Sequence, residues 1–151
     1  MTNKNTQIEV HTYNWGPCLI KVNILEDFRN ILLEEAKKTE MDFKGKLAGQ
    51  LASERGYSEQ QREKIIPYLS PYLGVFDEAF QRFQNKRFER KPEYTLTALW
   101  CNFQRQYEFN PPHDHDGKLS FVIYLSIPEP LKEENKKYEG RSCGPGGIQF
   151  M

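Results

Sequence analysis

Two of the three histidines of this 151-residue chain sit in one four-residue stretch and alternate with aspartates, His113-Asp114-His115-Asp116. Imidazole and carboxylate together suit Fe(II), Mn(II), Co(II) or Zn(II). If the backbone is extended here, side chains alternate by face. His113 and His115 then point one way, and Asp114 and Asp116 the other. Two ligands at neighbouring same-face positions can occupy adjacent corners of an octahedron. A third ligand from a distant strand completes one triangular face and leaves the opposite face open, the geometry used by non-haem Fe(II) oxygenases. The same residues also suit a polar surface turn, because Asn, Pro, Asp and Gly favour turns and Asp116-Gly117 is a hairpin signal by itself. Such a turn needs no metal. The third histidine, His11, stands alone and reads as a structural or surface residue.

Strands must hold this cluster, and the flanking sequence supplies them. From Tyr94 to Phe103 the pattern is rich in strand formers, and Leu119 to Leu125 is apolar enough for an internal strand. The cluster lies between the two. Further upstream the period is helical. Leu25, Phe28, Ile31, Leu32 and Ala36 recur at helical spacing. Ser58 and Gln61 form a capping-box pattern ahead of Ile65, Ile66 and Leu69. Pro67 is expected to interrupt that helix, and Ser70-Pro71 to start a second one carrying Tyr72, Phe76, Ala79, Phe80 and Phe83 as a core stripe. Two short strands are expected near the N-terminus, at 8–13 and 17–24. Lys44 to Ala52 is ambiguous. Residues 128–144 read as a charged loop, and a last strand is expected to begin at Gly146. The expected order is helices first and sheet last, in a single domain over residues 1–151. The apolar strand start at the end of the chain suggests that further strands follow Met151.

Composition narrows the function classes. Lys and Arg number 21, as do Asp and Glu, so no bulk field exists to hold nucleic acid or an anionic membrane. The local basic group Lys86, Arg87, Arg90 and Lys91 reads as a solvated helix end. Aromatics at 13% mark a chain that folds. Cys18, Cys101 and Cys143 are odd in number and widely spaced, which speaks against a zinc knuckle or a disulfide framework and for reduced thiols. No apolar run has the length of a signal peptide core or a membrane span. A soluble protein of the cytoplasm is expected.

The stretch from Trp100 to Leu125 resembles a group of 2-oxoglutarate- and Fe(II)-dependent oxygenases common in phages and marine bacteria. The matching positions are Trp100, Asn102, Gln104, Glu108, Asn110, Pro111, His113, His115, Gly117, Leu119, Ser120, Val122, Tyr124 and Leu125. Leu47-Ala48-Gly49 and Gly147-Ile148-Gln149-Phe150 extend it more weakly. The resemblance implies an α+β fold: a double-stranded β-helix (a jelly-roll, cupin-like core) with the N-terminal helices packed on one side. It implies Fe(II) at the mouth between the sheets and 2-oxoglutarate as cosubstrate, oxidised by O₂ to succinate and CO₂ while a substrate is hydroxylated. That substrate would be a protein or a small molecule, encountered in the host cytoplasm if a phage encodes the chain.

Residue by residue, His113 is the first implied metal ligand. The wider superfamily has a carboxylate two positions later, where this chain has His115. The second ligand is therefore His115, with Asp116 as runner-up and Asp114 a further alternative. Asn102, Tyr107 and Tyr124 are candidate pocket-lining residues, although sheet packing would explain each equally well. A distal histidine ligand and an arginine for the cosubstrate's C5-carboxylate are expected after Met151, so the chain as given is expected to bind iron weakly and turn over poorly. Two other readings predict different behaviour. A cupin-like metal-binding module on the same scaffold would bind metal without responding to 2-oxoglutarate. A non-catalytic interaction protein would do neither. An uncovered edge strand at the C-terminal end could promote homo-oligomers.

Overall fold

The computed structural model describes residues 16–43, 49, 51–141 and 144–149. Their element order is α1 (Glu26–Lys38), β1 (Glu54–Gly56), α2 (Glu59–Gln84), β2 (Trp100–Asn102) and α3 (Glu129–Lys136). Helix α1 forms where helical spacing places it. Glu26 and Asp27 in its first turn and Lys37 and Lys38 in its last complement the helix dipole. Its first amide lies next to Leu25, whose own N–H donates to the Tyr72 hydroxyl at 2.8 Å. At the other end the chain turns extended at Thr39, whose hydroxyl donates to the Gly56 carbonyl.

Helix α2 begins with the capping box that Ser58 and Gln61 announce. The Gln61 amide donates to Ser58 Oγ, and the Ser58 amide donates to Gln61 Oε1. The helix then runs unbroken for 26 residues, which corrects the expectation of two helices split at Pro67. Pro67 and Pro71 both lie inside it. Neither can donate to the carbonyl four residues back, so the carbonyls of Glu63 and Pro67 lose their helical partners. Both prolines and Glu63 are exposed, where water can replace the missing amides. The buried face, Ile65 and Leu69, keeps its ladder. The helix ends where Asn85 takes a left-handed φ of 50°, with Asn85 N–H donating to Arg82 O and Lys86 N–H to Gln81 O.

Strand β1 is the middle of the sheet. It pairs antiparallel with β2, in the register Glu54↔Asn102, Arg55↔Cys101 and Gly56↔Trp100. On its other edge the Phe43 amide donates to Glu54 O and the Gly56 amide to Met41 O, forming an isolated bridge between Asp42 and Arg55. The core lies where the α1 and α2 faces meet this sheet. Phe28, Leu32, Ala36, Tyr57, Ile65 and Leu69 are buried, with Leu96, Leu99, Cys101, Phe103, Ile123 and Leu125 packed against them. The expected stripe Tyr72, Phe76, Ala79, Phe80 and Phe83 is only half-buried.

Several segments differ from expectation. Residues 17–24 are irregular, not a strand. Of the strand expected from Tyr94 to Phe103, only Trp100–Asn102 joins a ladder. Residues 119–125 make no ladder with another described strand. They keep the alternation of one, with Leu119, Ile123 and Leu125 half-buried and Ser120, Val122 and Tyr124 exposed. Arg29 Nε donates to Leu125 O at 2.6 Å and ties this segment to α1. Inside the supposed loop 128–144 lies α3, which buries nothing and so has no periodic apolar face to betray it. Its Lys132–Glu129 and Lys136–Glu133 pairs are each worth about 0.2–0.5 kcal/mol. Leu131 covers Gly146, where a β-carbon would lie 2.6 Å from its Cδ2. The strand expected to begin at Gly146 does not form over the described residues: Gly146 lies in a turn and residues 147–149 join no ladder. The remainder of that strand, the strand expected at 8–13, and Leu47, Ala48, His11 and Cys143 lie outside the described residues. Within them the fold is α+β, and two paired three-residue strands are too small a sheet to discriminate a double-stranded β-helix from other α+β arrangements.

Two buried polar contacts lock α1 to the β1–α2 junction. The Tyr57 hydroxyl donates to Leu32 O at 2.9 Å, and burial pushes that hydroxyl's pKa up. Replacing Tyr57 by Phe removes the second donor to the Leu32 carbonyl, which keeps its helical bond. We expect a loss of about 0.5–1.5 kcal/mol, read as a lower urea midpoint at unchanged m-value. Next to it, the Lys38 ammonium, Gln61 and Lys64 hold the Glu35 carboxyl below its ordinary value of 4.5. A depressed folded-state pKa gives stability that is complete above the ordinary carboxylate range and is lost as pH falls through the depressed value. Urea midpoints measured from pH 7 down to 3 should therefore fall more steeply for the native chain than for Glu35→Gln.

Candidate metal-binding loop

The sheet reaches the histidine cluster through a column of rings. Gly56 in β1 pairs with Trp100 in β2. Because Gly56 has no side chain, Phe43 can lie over it. A β-carbon there would stand 2.6 Å from Phe43 Cδ2. Phe43 stacks on Trp100 at 5.8 Å between centroids, Trp100 lies tilted on His115 at 5.6 Å, and His115 meets His113 edge-on at 4.6 Å. The two imidazoles are thus on one side of the loop, as alternation requires.

The pair has a defined chemical sense. His113 Nδ1 lies 2.7 Å from the Pro111 carbonyl oxygen. A carbonyl only accepts, so Nδ1 carries the proton and Nε2 carries the lone pair. That lone pair faces His115 Nε2 at 3.0 Å. The contact admits two occupants: a proton donated by His115, or a cation taking both lone pairs. Nitrogens about 2.1 Å from one metal ion stand about 3.0 Å apart at an octahedral right angle and about 3.4 Å apart at the tetrahedral angle. The observed spacing matches the octahedral edge. A ligand histidine whose second nitrogen donates to a backbone carbonyl is the usual way to fix tautomer and ring direction.

The loop ahead of the pair is closed by Glu108. Its carboxylate accepts from the Ala52 amide at 2.8 Å and the Arg105 amide at 2.7 Å, while Gln104 Nε2 donates to Glu108 O. Asn110 then passes so close to Gly49 that a β-carbon on Gly49 would lie 2.0 Å from Asn110 Oδ1. Thus the segment that the resemblance singles out is tied by Glu108 to the chain preceding β1 and approaches it closely at Asn110.

The remaining sequence candidates are dispersed. Asp114 and Asp116 are exposed, and among the described residues no group of three or more His, Cys, Asp or Glu side chains is gathered around one point. Asn102 is half-buried on β2, with Oδ1 buried and accepting no hydrogen bond among the described residues. Tyr107 is 91% exposed, because the turn at 106–107 gives it a φ of 67° and aims it outward, so it lines no pocket. Tyr124 donates to Gly146 O at 3.2 Å and holds the 144–149 turn. Beside the site, burial raises the pKa of the Cys101 thiol, and Arg55 lies over the Phe103 ring at 5.1 Å. Sequence reasoning missed the roles of Trp100, Phe43 and Glu108. Trp100 and Glu108 were visible as matched positions, but no spacing rule says which ring a tryptophan will cover.

Comparison with protein-family models, curated proteins and solved structures finds no match to this chain. No helix of the described residues is long and apolar enough to cross a membrane.

Removing the Glu108 carboxylate should loosen the loop while leaving the core intact. For Glu108→Ala we expect faster hydrogen exchange at the Ala52 and Arg105 amides by about tenfold or more, the equivalent of about 1.4 kcal/mol of local opening. Exchange at the Ile65 and Leu69 amides should not change.

Proposed function

We propose that the chain belongs to an Fe(II)- and 2-oxoglutarate-dependent dioxygenase, a hydroxylase, in which His113 and His115 bind the metal. The observation that carries this reading is the 3.0 Å separation of the two Nε2 atoms, with the His113 tautomer set by Pro111 O. The residues present fit two cis positions of an octahedral ion. A third protein donor would complete the face, a distal histidine as the resemblance implies, with Asp116 the alternative to His115 at the second position. Fe(II) and 2-oxoglutarate, when bound, would supply the oxidative chemistry with O₂ as oxidant, one oxygen atom going to succinate as CO₂ leaves and the other to the hydroxylated protein or small-molecule substrate.

The chain's own residues do the positioning. The Pro111 carbonyl accepts from His113 Nδ1 and so leaves Nε2 as the nitrogen that would meet the metal. Trp100 lies tilted against His115 at 5.6 Å between centroids. Glu108 closes the loop, so that the pair stands on the sheet edge with its free side open to solvent and ligand. A double-stranded β-helix around this edge is part of the same proposal, supported by the order and spacing of the matched residues from Trp100 to Leu125.

Anaerobic titration with Co(II) as a spectroscopic substitute for Fe(II) tests the reading. We expect saturable binding with six-coordinate absorption, weakened by at least about 100-fold in His113→Ala and in His115→Ala, a larger loss than removal of an outer partner causes. 2-Oxoglutarate should change the cobalt spectrum. Metal binding that ignores 2-oxoglutarate would favour the cupin-like module instead, and Co(II) affinity indifferent to both histidine changes would sink the metal-binding assignment altogether.

A further inference from the structure

The two histidines are not oriented in the same way. His113 is fixed by a hydrogen bond from Nδ1 to Pro111 O. His115 has no such partner among the described residues. Its ring meets the His113 ring and lies tilted against Trp100 at 5.6 Å between centroids. From this asymmetry we infer that Trp100 is the positioning residue for His115, its indole serving in place of the outer hydrogen bond that ligand histidines ordinarily use. The inference rests on the metal-binding reading of the pair for its functional consequence, although the positioning itself is present without metal.

The rest of the column shows why Trp100 can do this. β2 fixes its backbone through the Gly56↔Trp100 pairing, and Tyr57 N–H bonds to Leu99 O on the preceding residue. Phe43 stacks on the indole, and it reaches that position because Gly56 has no β-carbon. A half-buried ring held by the sheet on one side therefore faces an exposed imidazole on the other. An exposed histidine in a polar loop would otherwise sample several rotamers. Stacking on a fixed ring selects the one that aims Nε2 at His113.

The test uses Trp100→Phe, Trp100→Leu and Phe43→Leu in the full chain, with two readouts. The first is Co(II) affinity, measured beside the thermal midpoint of each variant. The second is the NMR shift of the His115 ring protons in metal-free protein, which the Trp100 ring current displaces. We expect Trp100→Leu to lose about 10–100-fold in Co(II) affinity, the range typical of an outer-partner loss. Trp100→Phe should retain most of the affinity, with Phe43→Leu between the two. The His115 displacement should collapse in Trp100→Leu. A purely structural role would lower the thermal midpoint while the folded fraction bound Co(II) as tightly as before, and that result overturns the inference. So does an unchanged His115 shift in Trp100→Leu. If the native chain binds no Co(II), the metal reading fails by itself. The ring shift then decides the positioning claim, upheld by its loss in Trp100→Leu and overturned by its persistence.

Discussion

The hydroxyl of Tyr57, buried with the carbonyl of Leu32 as its acceptor, is the contact on which the remaining arrangement depends. A carbonyl inside a helix already accepts one bond, but its second lone pair, once buried, is costly to leave without a donor beside a polar ring tip. Tyr57 is also the residue between β1 and α2. Its amide extends the sheet by bonding to Leu99 O, its ring fills the core, and its hydroxyl reaches α1. One side chain thus fixes the relative positions of a strand, the start of a 26-residue helix and the middle of a 13-residue helix.

Gln61, one turn on, repeats the pattern. It closes the capping box with Ser58 and also donates from Nε2 to the Glu35 carbonyl and carboxylate. The groups that start α2 are therefore the groups that dock it. These contacts hold the junction from which β1 runs. Because β1 lies between the 41–43 bridge and β2, the rings of Phe43 and Trp100 on its two neighbours come into register over Gly56. The geometry of the histidine loop follows from a glycine two layers away.

How much of this was legible in the sequence depends on whether a signal was local. The capping box at Ser58 and Gln61 was legible because both hydrogen bonds are made within four residues. The first helix was legible because Phe28, Leu32 and Ala36 occupy one face and are buried by a neighbour. The prolines misled because a sequence rule counts the lost hydrogen bond, whereas the cost falls with water access, and both prolines lie on the solvent side. Helix α3 was missed because charged, strongly helix-forming residues such as Glu and Lys give no periodic apolar face when nothing buries them. The strands were overestimated at 17–24 and 94–103, since β-branched and aromatic runs describe a surface fit for a sheet without naming a partner strand. At the site, composition and spacing singled out His113 and His115, and alternation predicted their common side. The Pro111 carbonyl, the Trp100 face and the Glu108 staple were not legible, because each depends on where distant backbone comes to rest.

The buried core and the histidine loop are spatially separated in this arrangement. The buried side chains lie between α1, α2 and the inner face of the sheet, where deleting one such as Leu32 would cost about 2–5 kcal/mol. The histidine loop is exposed and rests on the sheet edge through a few contacts, each worth about 1 kcal/mol. Such a loop is ordered by contact with a rigid support and can still open locally without unfolding the core. For a metal-binding edge this division is useful. An open coordination face requires solvent access, and a buried pair of imidazoles would have to be desolvated before any cosubstrate arrived. On the proposed reading two cis nitrogens need only a fixed spacing, for which the Pro111 carbonyl holds one ring and the indole is proposed to hold the other.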